Sequence, residues 1–281
     1  MTAAKEQILI YVSSKMHNPT SRNNNIALIG PPGTGKTTIA RLVSDIMGWG
    51  FAQISMGGVA RADYLQGHDY TFVGSQPGEI IKALRKLKYK NGVVFFDEFE
   101  KIGNGDAVAA TLLHLIDPSQ NMEFSDNYMS PLTFDLSKLW FIASMNHKPT
   151  DRAIADRWVY IRIDGYTPTE KATIIVNHLL PGALRGVGMT SDAISISTEM
   201  AGVIVSRVSN HGDKGVRTIK KAVDELVSKI HFIVANDNSV TMSFSSAKYP
   251  LSVPVRVTDE LIARLITVPQ NDDAPPEFMY M

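Results

Sequence analysis

The chain has 281 residues, 44% hydrophobic and 20% charged, which is enough apolar material for one large domain or two smaller ones. Lysine plus arginine and aspartate plus glutamate both number 28, so the net charge is zero, which argues against a protein that holds nucleic acid by bulk positive charge. The absence of cysteine excludes disulfides, thiol catalysis and cysteine-held zinc; the seven histidines show no H-E-x-x-H spacing, and no apolar run reaches the ~18 residues of a membrane span.

In chain order, Ile8, Leu9, Val12 and Met16 recur at helical spacing and predict a helix over 3–16. No long apolar core follows a basic start there, so the segment does not read as a secretory signal, and the expectation is a soluble, cytoplasmic protein. A polar loop with Pro19 leads to Ile26-Ala27-Leu28-Ile29, a short buried strand. Next comes Gly30-Pro31-Pro32-Gly33-Thr34-Gly35-Lys36-Thr37, which fits G-x-x-x-x-G-K followed by Ser or Thr. A helix follows over 36–47. A glycine-rich turn between strand and helix aims backbone N–H groups at one point, and the helix start adds its positive dipole end. Lys36 would reach the β- and γ-phosphates, and the Thr37 hydroxyl would hold Mg²⁺. Thr38 completes the set of candidate phosphate-binding residues.

Further strands are predicted at 51–55, 93–97, 139–144 and 159–163, with helices at 80–87 and 107–116 between them. Largely apolar strands alternating with helices imply an α/β, three-layer domain around a parallel sheet. Val93-Val94-Phe95-Phe96 places Asp97 at the end of a buried strand, where its carboxylate can help hold Mg²⁺. Glu98 stands where the chain leaves the sheet and can accept a proton from, or orient, an attacking water. Asn146 ends the strand at 139–144 and is a candidate to hold that water or a γ-phosphate oxygen. The composition changes near Gly165. Thr167-Pro168-Thr169-Glu170 carries a capping box, and helical periodicity runs from there to Ala235, which predicts a small helical domain over about 165–236 after a nucleotide-binding domain over 1–164. Within the remaining 237–281, residues 239–244 suggest a short strand, 258–265 a capped helix, and 270–281 a tail.

These motifs together resemble the AAA+ ATPases, and within them the ATPase module of Lon proteases. The general likeness is the order of phosphate loop, Asp97-Glu98, Asn146 and then arginines. The closer likeness is carried by Ile54-Ser55-Met56-Gly57-Gly58-Val59, Gly67-His68, Thr71-Phe72-Val73-Gly74, Pro77-Gly78, Leu115-Ile116-Asp117-Pro118-Ser119-Gln120-Asn121, Phe124-Ser125-Asp126 and Phe134-Asp135-Leu136-Ser137. It covers roughly residues 5–235. The resemblance implies a P-loop sandwich followed by a small helical AAA+ lid, ATP and Mg²⁺ as ligands, and a ring homo-oligomer, most simply a hexamer. It makes Asn146 the sensor-1 residue, Arg157 the arginine finger (with Arg152 nearby as a competitor), Arg217 the sensor-2 arginine of the lid, Phe72-Val73 the pore loop that grips an extended polypeptide, and 103–106 the place of a second pore loop. The family usually carries Tyr where this chain has Phe72.

Neither the Lon N-terminal substrate-binding domain nor its peptidase domain is expected here, and Ser245, Ser246 and Lys248 do not match the family's Ser–Lys pattern. The expected function is therefore ATP hydrolysis that threads or remodels a polypeptide, without intrinsic proteolysis, with a separate peptidase or assembly partner as a further possible associate. Two other readings stand beside it: a nucleic-acid motor or packaging ATPase, and a scaffold that binds ATP to assemble a partner.

Overall fold

Apolar residues run almost unbroken through the strand segments, as strands covered on both faces require. In the computed structural model, which describes residues 2–18, 25–71, 73–103, 105–209, 213–236 and 251–267, these segments build a parallel sheet. The chain divides into two compact units, Met1–Asp164 and Gly165–Met281. The first contains α1 (Thr2–His17), β1 (Ile26–Ile29), α2 (Lys36–Met47), β2 (Phe51–Ser55), α3 (Asp63–Gln66), α4 (Glu79–Leu87), β3 (Gly92–Asp97), α5 (Asp106–Ile116), the short strands β4 (Phe124–Ser125) and β5 (Thr133–Phe134), β6 (Leu139–Met145), α6 (Arg152–Ala155) and β7 (Val159–Arg162).

The main sheet has the order β2-β3-β6-β1-β7, with every pairing parallel. Alternation along the strands feeds two cores. Ala27, Val94, Phe96, Phe141 and Ala143 face one side, where Leu65, Ile80, Leu112 and Leu115 cover them. Leu28, Val93, Phe95, Trp140 and Ile142 face the other, covered by Ala4 and Val12 of α1 and Ala40 and Val43 of α2. Phe96 and Phe141 stack across neighbouring strands at 5.7 Å, and Phe99 meets Trp158 edge-on at 5.0 Å. The result is the α/β three-layer sandwich that the alternation of elements implies.

Because all five strands point the same way, their C-terminal tips share one edge. The register pairs Ile29 with Met145 and Phe96 with Ala143, so the ends of β1, β6 and β3 stand side by side. Ligands bind at this edge in open α/β sheets.

Residues 67–71 and 73–78, between α3 and α4, form no helix or strand and are mostly exposed. The base of this loop is closed by a buried carboxylate: Asp126 Oδ2 accepts from Gly78 N at 2.9 Å, and its Oδ1 from Tyr128 N and Met129 N at 3.0 and 3.2 Å. Gly67 and Gly78 meet there so closely that a Cβ on Gly78 would lie 2.1 Å from Leu65 O. Val73 is fully exposed on this loop; Phe72 lies outside the described residues.

The second unit holds α7 (Pro168–Ile174), α8 (Leu180–Gly186), β8 (Ile194–Ser195), α9 (Thr198–Val208), α10 (Arg217–Ala235), β9 (Val255–Arg256) and α11 (Asp259–Leu265) around its own core. Thr167 and Glu170 form the reciprocal capping box that starts α7. Between α7 and α8 the helix widens to a π-turn over Ile175–Leu179, which ends two residues before Pro181. Pro181 has no N–H to give to the carbonyl of Asn177, and the wider turn absorbs that lost bond without breaking the helix. Val255, Val257, Ile262 and Leu265 belong to the same core, and β9 pairs with β8 in parallel. The strand read at 239–244, the tail at 270–281, and Ser245, Ser246 and Lys248 lie outside the described residues. Among the described residues, no helix is long and apolar enough to cross a membrane.

Replacing Asp126 by Ala would take the acceptor from the buried Gly78 N and from Tyr128 N, while Met129 N keeps the Asp126 carbonyl at 3.1 Å; we expect a loss of about 1–3 kcal/mol, read as a lower midpoint in denaturant unfolding.

Candidate functional site

The phosphate loop starts where β1 ends. Gly30 N donates to Met145 O at 3.0 Å, and a Cβ on Gly30 would lie 2.0 Å from Ile163 O, so only glycine fits between β6 and the end of β7. Gly33 and Gly35 take left-handed conformations, φ 74° and 87°, which an L-side chain resists. Gly35 caps α2, and no side chain takes up the first N–H groups of that helix. They remain directed at whatever sits in front of the loop. Thr34 Oγ closes the turn on Pro31 O at 2.9 Å. Lys36 is buried; its Nζ donates to Gly30 O at 2.6 Å, Pro31 O at 2.9 Å and Asn146 Oδ1 at 3.1 Å. Thr37 is half-buried and Thr38 exposed on the first turn of α2.

Asp97 is pinned from both sides. Its Oδ1 accepts from Ser144 Oγ on β6 at 2.6 Å, and its Oδ2 from Gln53 Nε2 on β2 at 3.1 Å. Ser144 also accepts from Glu98 N at 3.1 Å, so one buried hydroxyl fixes the orientation of the Asp97 carboxylate and the exit of the chain after it. That exit is strained: Glu98 has φ 55° and ψ 41°, a left-handed conformation uncommon for a residue with a side chain. Its Oε1 accepts from Lys101 Nζ at 2.7 Å, while a Cβ on Gly57 would lie 2.5 Å from its Oε2. Gly57 thus leaves room for the carboxylate to lie over the end of β2.

Asn146 joins the two halves. Its Oδ1 accepts from Lys36 Nζ and its Nδ2 donates to Glu100 Oε1 at 2.7 Å. Lysine only donates and a carboxylate only accepts, so this pair of neighbours dictates which way round the amide stands. The second oxygen of Glu100 is buried without a hydrogen-bond partner. The structure therefore brings Lys36, Asp97, Glu98 and Asn146 to one sheet edge.

Arg157 lies elsewhere in the first unit. It precedes β7, whose Val159 pairs with Ile26 at the start of β1, so it stands at the opposite edge of the sheet. Four to five residues of strand, roughly 13–16 Å, separate the two edges. Arg152 is almost fully exposed, and its nearest acid, Asp156, is 3.9 Å away. Arg217 is the first residue of α10, in the second unit, and is exposed. The loop before it is tied down by Lys171, whose buried ammonium donates to Asp213 O at 2.5 Å, and by Gly215 N donating to Asp213 Oδ1 at 3.0 Å.

The residues present suit a nucleotide with Mg²⁺. The uncapped helix start and the buried Lys36 suit phosphate, and Thr37 with Asp97 are oxygen donors of the kind Mg²⁺ takes alongside substrate phosphates and water. Among the described residues there is no cluster of three acids or histidines of the kind an all-protein metal cage needs.

Residues 26–162 match the ATPase family associated with various cellular activities (AAA). The chain is 34% identical over 245 residues to "Lon protease homolog 2, peroxisomal" of Spinacia oleracea, an alignment that covers 86% of this chain and 27% of that protein. This is a Lon-like AAA module. Lon protease of Halothermothrix orenii is 36% identical over 230 residues (80% of this chain, 29% of that protein), and Lon protease of Lawsonia intracellularis 32% over 277 residues (97% and 31%). The chain thus spans under a third of the length of these Lon relatives. The AAA match covers β1 to β7, the stretch that holds Lys36, Thr37, Asp97, Glu98, Asn146 and Arg157 but not Arg217.

Sequence reasoning passed over Ser144, Gln53 and Glu100. The signal for Ser144 was present: it is the one polar residue in the otherwise apolar Leu139–Met145 strand of this module. Replacing Ser144 by Val would remove the hydroxyl shared by Asp97 and Glu98 N; we expect about 1–3 kcal/mol of destabilisation by thermal or denaturant unfolding.

Proposed function

We propose that this module hydrolyses ATP to ADP and phosphate with Mg²⁺, works as a ring of identical subunits, most simply a hexamer, and uses the cycle to thread or remodel a polypeptide without a proteolytic activity of its own. One observation carries the catalytic part: Lys36, Asp97, Glu98 and Asn146 meet at a single sheet edge in front of an uncapped helix start. Lys36 would exchange its three oxygen acceptors, Gly30 O, Pro31 O and Asn146 Oδ1, for β- and γ-phosphate oxygens. Thr37 and Asp97 would hold Mg²⁺, which would supply positive charge to offset the negative charge on the phosphates. Glu98 would take a proton from the attacking water as the terminal P–O bond breaks. Asn146, released from Lys36, would offer its amide to the γ-phosphate or the water, and Arg217 would sense the nucleotide from the second unit.

Arg157 supports the oligomeric part. At the far edge of the sheet it cannot serve its own chain's phosphate loop, so an arginine used in catalysis from there must act on a neighbouring subunit. The exposed loop that carries Val73, with Phe72 beside it, would contact the polypeptide, and a separate peptidase or assembly partner would dock outside this module. A chain with zero net charge gives less support to a nucleic-acid motor.

The test is ATP turnover across protein concentration, with and without an unfolded polypeptide or DNA. Turnover per subunit should rise as rings assemble and rise further with polypeptide. Glu98→Gln should bind ATP and lose turnover by about 10²–10⁴-fold. Stimulation by DNA alone, or turnover that is independent of concentration and insensitive to Glu98→Gln, would overturn the reading.

A further inference from the structure

Arg157 is not a loose surface side chain. Its Nε and Nη2 both donate to Asp117 Oδ2, at 3.0 and 2.9 Å. The other oxygen of that carboxylate is also engaged: Asp117 Oδ1 accepts from Ser119 N at 2.9 Å and Ser119 Oγ at 2.7 Å. The Ser119 hydroxyl and N–H, and then the guanidinium, hold the Asp117 carboxyl below the usual aspartate range against the opposing effect of burial. The side chain of Asp117 is 11% exposed and that of Arg157 41%, so the acid is inside and the base is presented. The backbone is held as well. Buried Asn25 donates through Nδ2 to Ile116 O at 2.6 Å and Arg157 O at 3.2 Å, which ties Arg157 itself and the residue before Asp117 to the start of β1.

We infer that Asp117 is a positioning residue for Arg157: it holds the guanidinium in the orientation in which a neighbouring subunit's nucleotide meets it. The inference rests on the reading of Arg157 as an arginine supplied in trans. The geometry is that of an aiming device. Asp117 takes the side-on edge of the fork, two of its five N–H donors, and leaves the three on the outward edge for another acceptor. A free arginine would have to freeze several side-chain torsions at the moment of use; one already bonded at its inner edge has most of that entropy removed beforehand. The block Leu115-Ile116-Asp117-Pro118-Ser119, which none of the nucleotide contacts above employs, thereby acquires a role.

The experiment compares Arg157→Ala, Asp117→Asn, Ser119→Ala and the Asp117→Asn, Arg157→Ala double variant of the full chain, with kcat and KM for ATP measured where turnover per subunit has reached its plateau. Asp117→Asn is isosteric; its amide can still accept from Ser119 but can turn an N–H, not an oxygen, toward Arg157. Arg157→Ala should lose ~10³-fold in kcat. Asp117→Asn should lose ~10²-fold in kcat, with KM within about twofold of the parent, as expected when positioning and not binding is lost. The double variant should be no slower than Arg157→Ala alone. Ser119→Ala, a milder lesion, should lose a smaller factor and covers the case in which Asp117→Asn fails to fold. Mixing Asp117→Asn with Glu98→Gln subunits should restore turnover, because the first keeps an intact site and the second an aimed arginine.

If Arg157→Ala keeps full turnover, the in-trans reading fails and this inference falls with it. If Arg157→Ala is inactive while Asp117→Asn and Ser119→Ala turn over normally, the inference alone is overturned. Loss of activity that follows the melting temperature and is not rescued by mixing would leave the pair a structural tie and overturn it equally.

Discussion

The parallel pairing of β1 with β6, and of β6 with β3, is the constraint on which the site depends. Strands that run the same way end on the same side, so a lysine loop after one, an amide after the next and an acid at the tip of the third converge without any long loop to carry them. The hydrogen bonds across that edge, from Lys36 to Asn146 and from Ser144 to Asp97, are short-range consequences of this register. A slip of one residue in β6 would turn Ser144 toward the opposite core and take with it the only side chain seen to touch Asp97 from that strand.

The same packing stabilises a strained turn. Glu98 takes a backbone conformation that costs on the order of 1–3 kcal/mol, held by the Ser144 hydroxyl on one side and by the space over Gly57 on the other. The aromatic layer under it, Phe96 on Phe141 and Phe99 on Trp158, is fully packed, so the strain cannot relax by local repacking. The Glu98 carboxylate thus stands exposed on a rigid, over-determined base.

Much of this was legible in the sequence, for identifiable reasons. The strands ending at Ile29, Asp97 and Met145 are apolar runs, and the phosphate loop combines glycines at fixed spacing with a lysine that has one chemical use there. Thr167 and Glu170 announce the start of α7 by a local reciprocal cap, and locality is what makes a signal readable. The unread part is long-range. Asp117 meets a partner 40 positions away, Ser144 one 47 positions away and Asn146 one 110 positions away. No periodicity encodes those meetings. Two-residue strands such as β8 and β9 exist only because a second core holds them together, and their residues show no alternation long enough to detect. The π-turn before Pro181 was marked by the proline itself, which reads equally well as a helix break.

Trp158 follows Arg157 in the chain, and its indole stands edge-on to Phe99, the residue after Glu98. The other two tryptophans, Trp49 and Trp140, are paired with each other at 6.1 Å on the opposite face of the sheet. Nature has thus left a native fluorophore wedged between the turn that bears the acid and the segment that bears the arginine. With phenylalanine at 49 and 140, its emission becomes a single-site optical gauge of that turn, free of any attached dye.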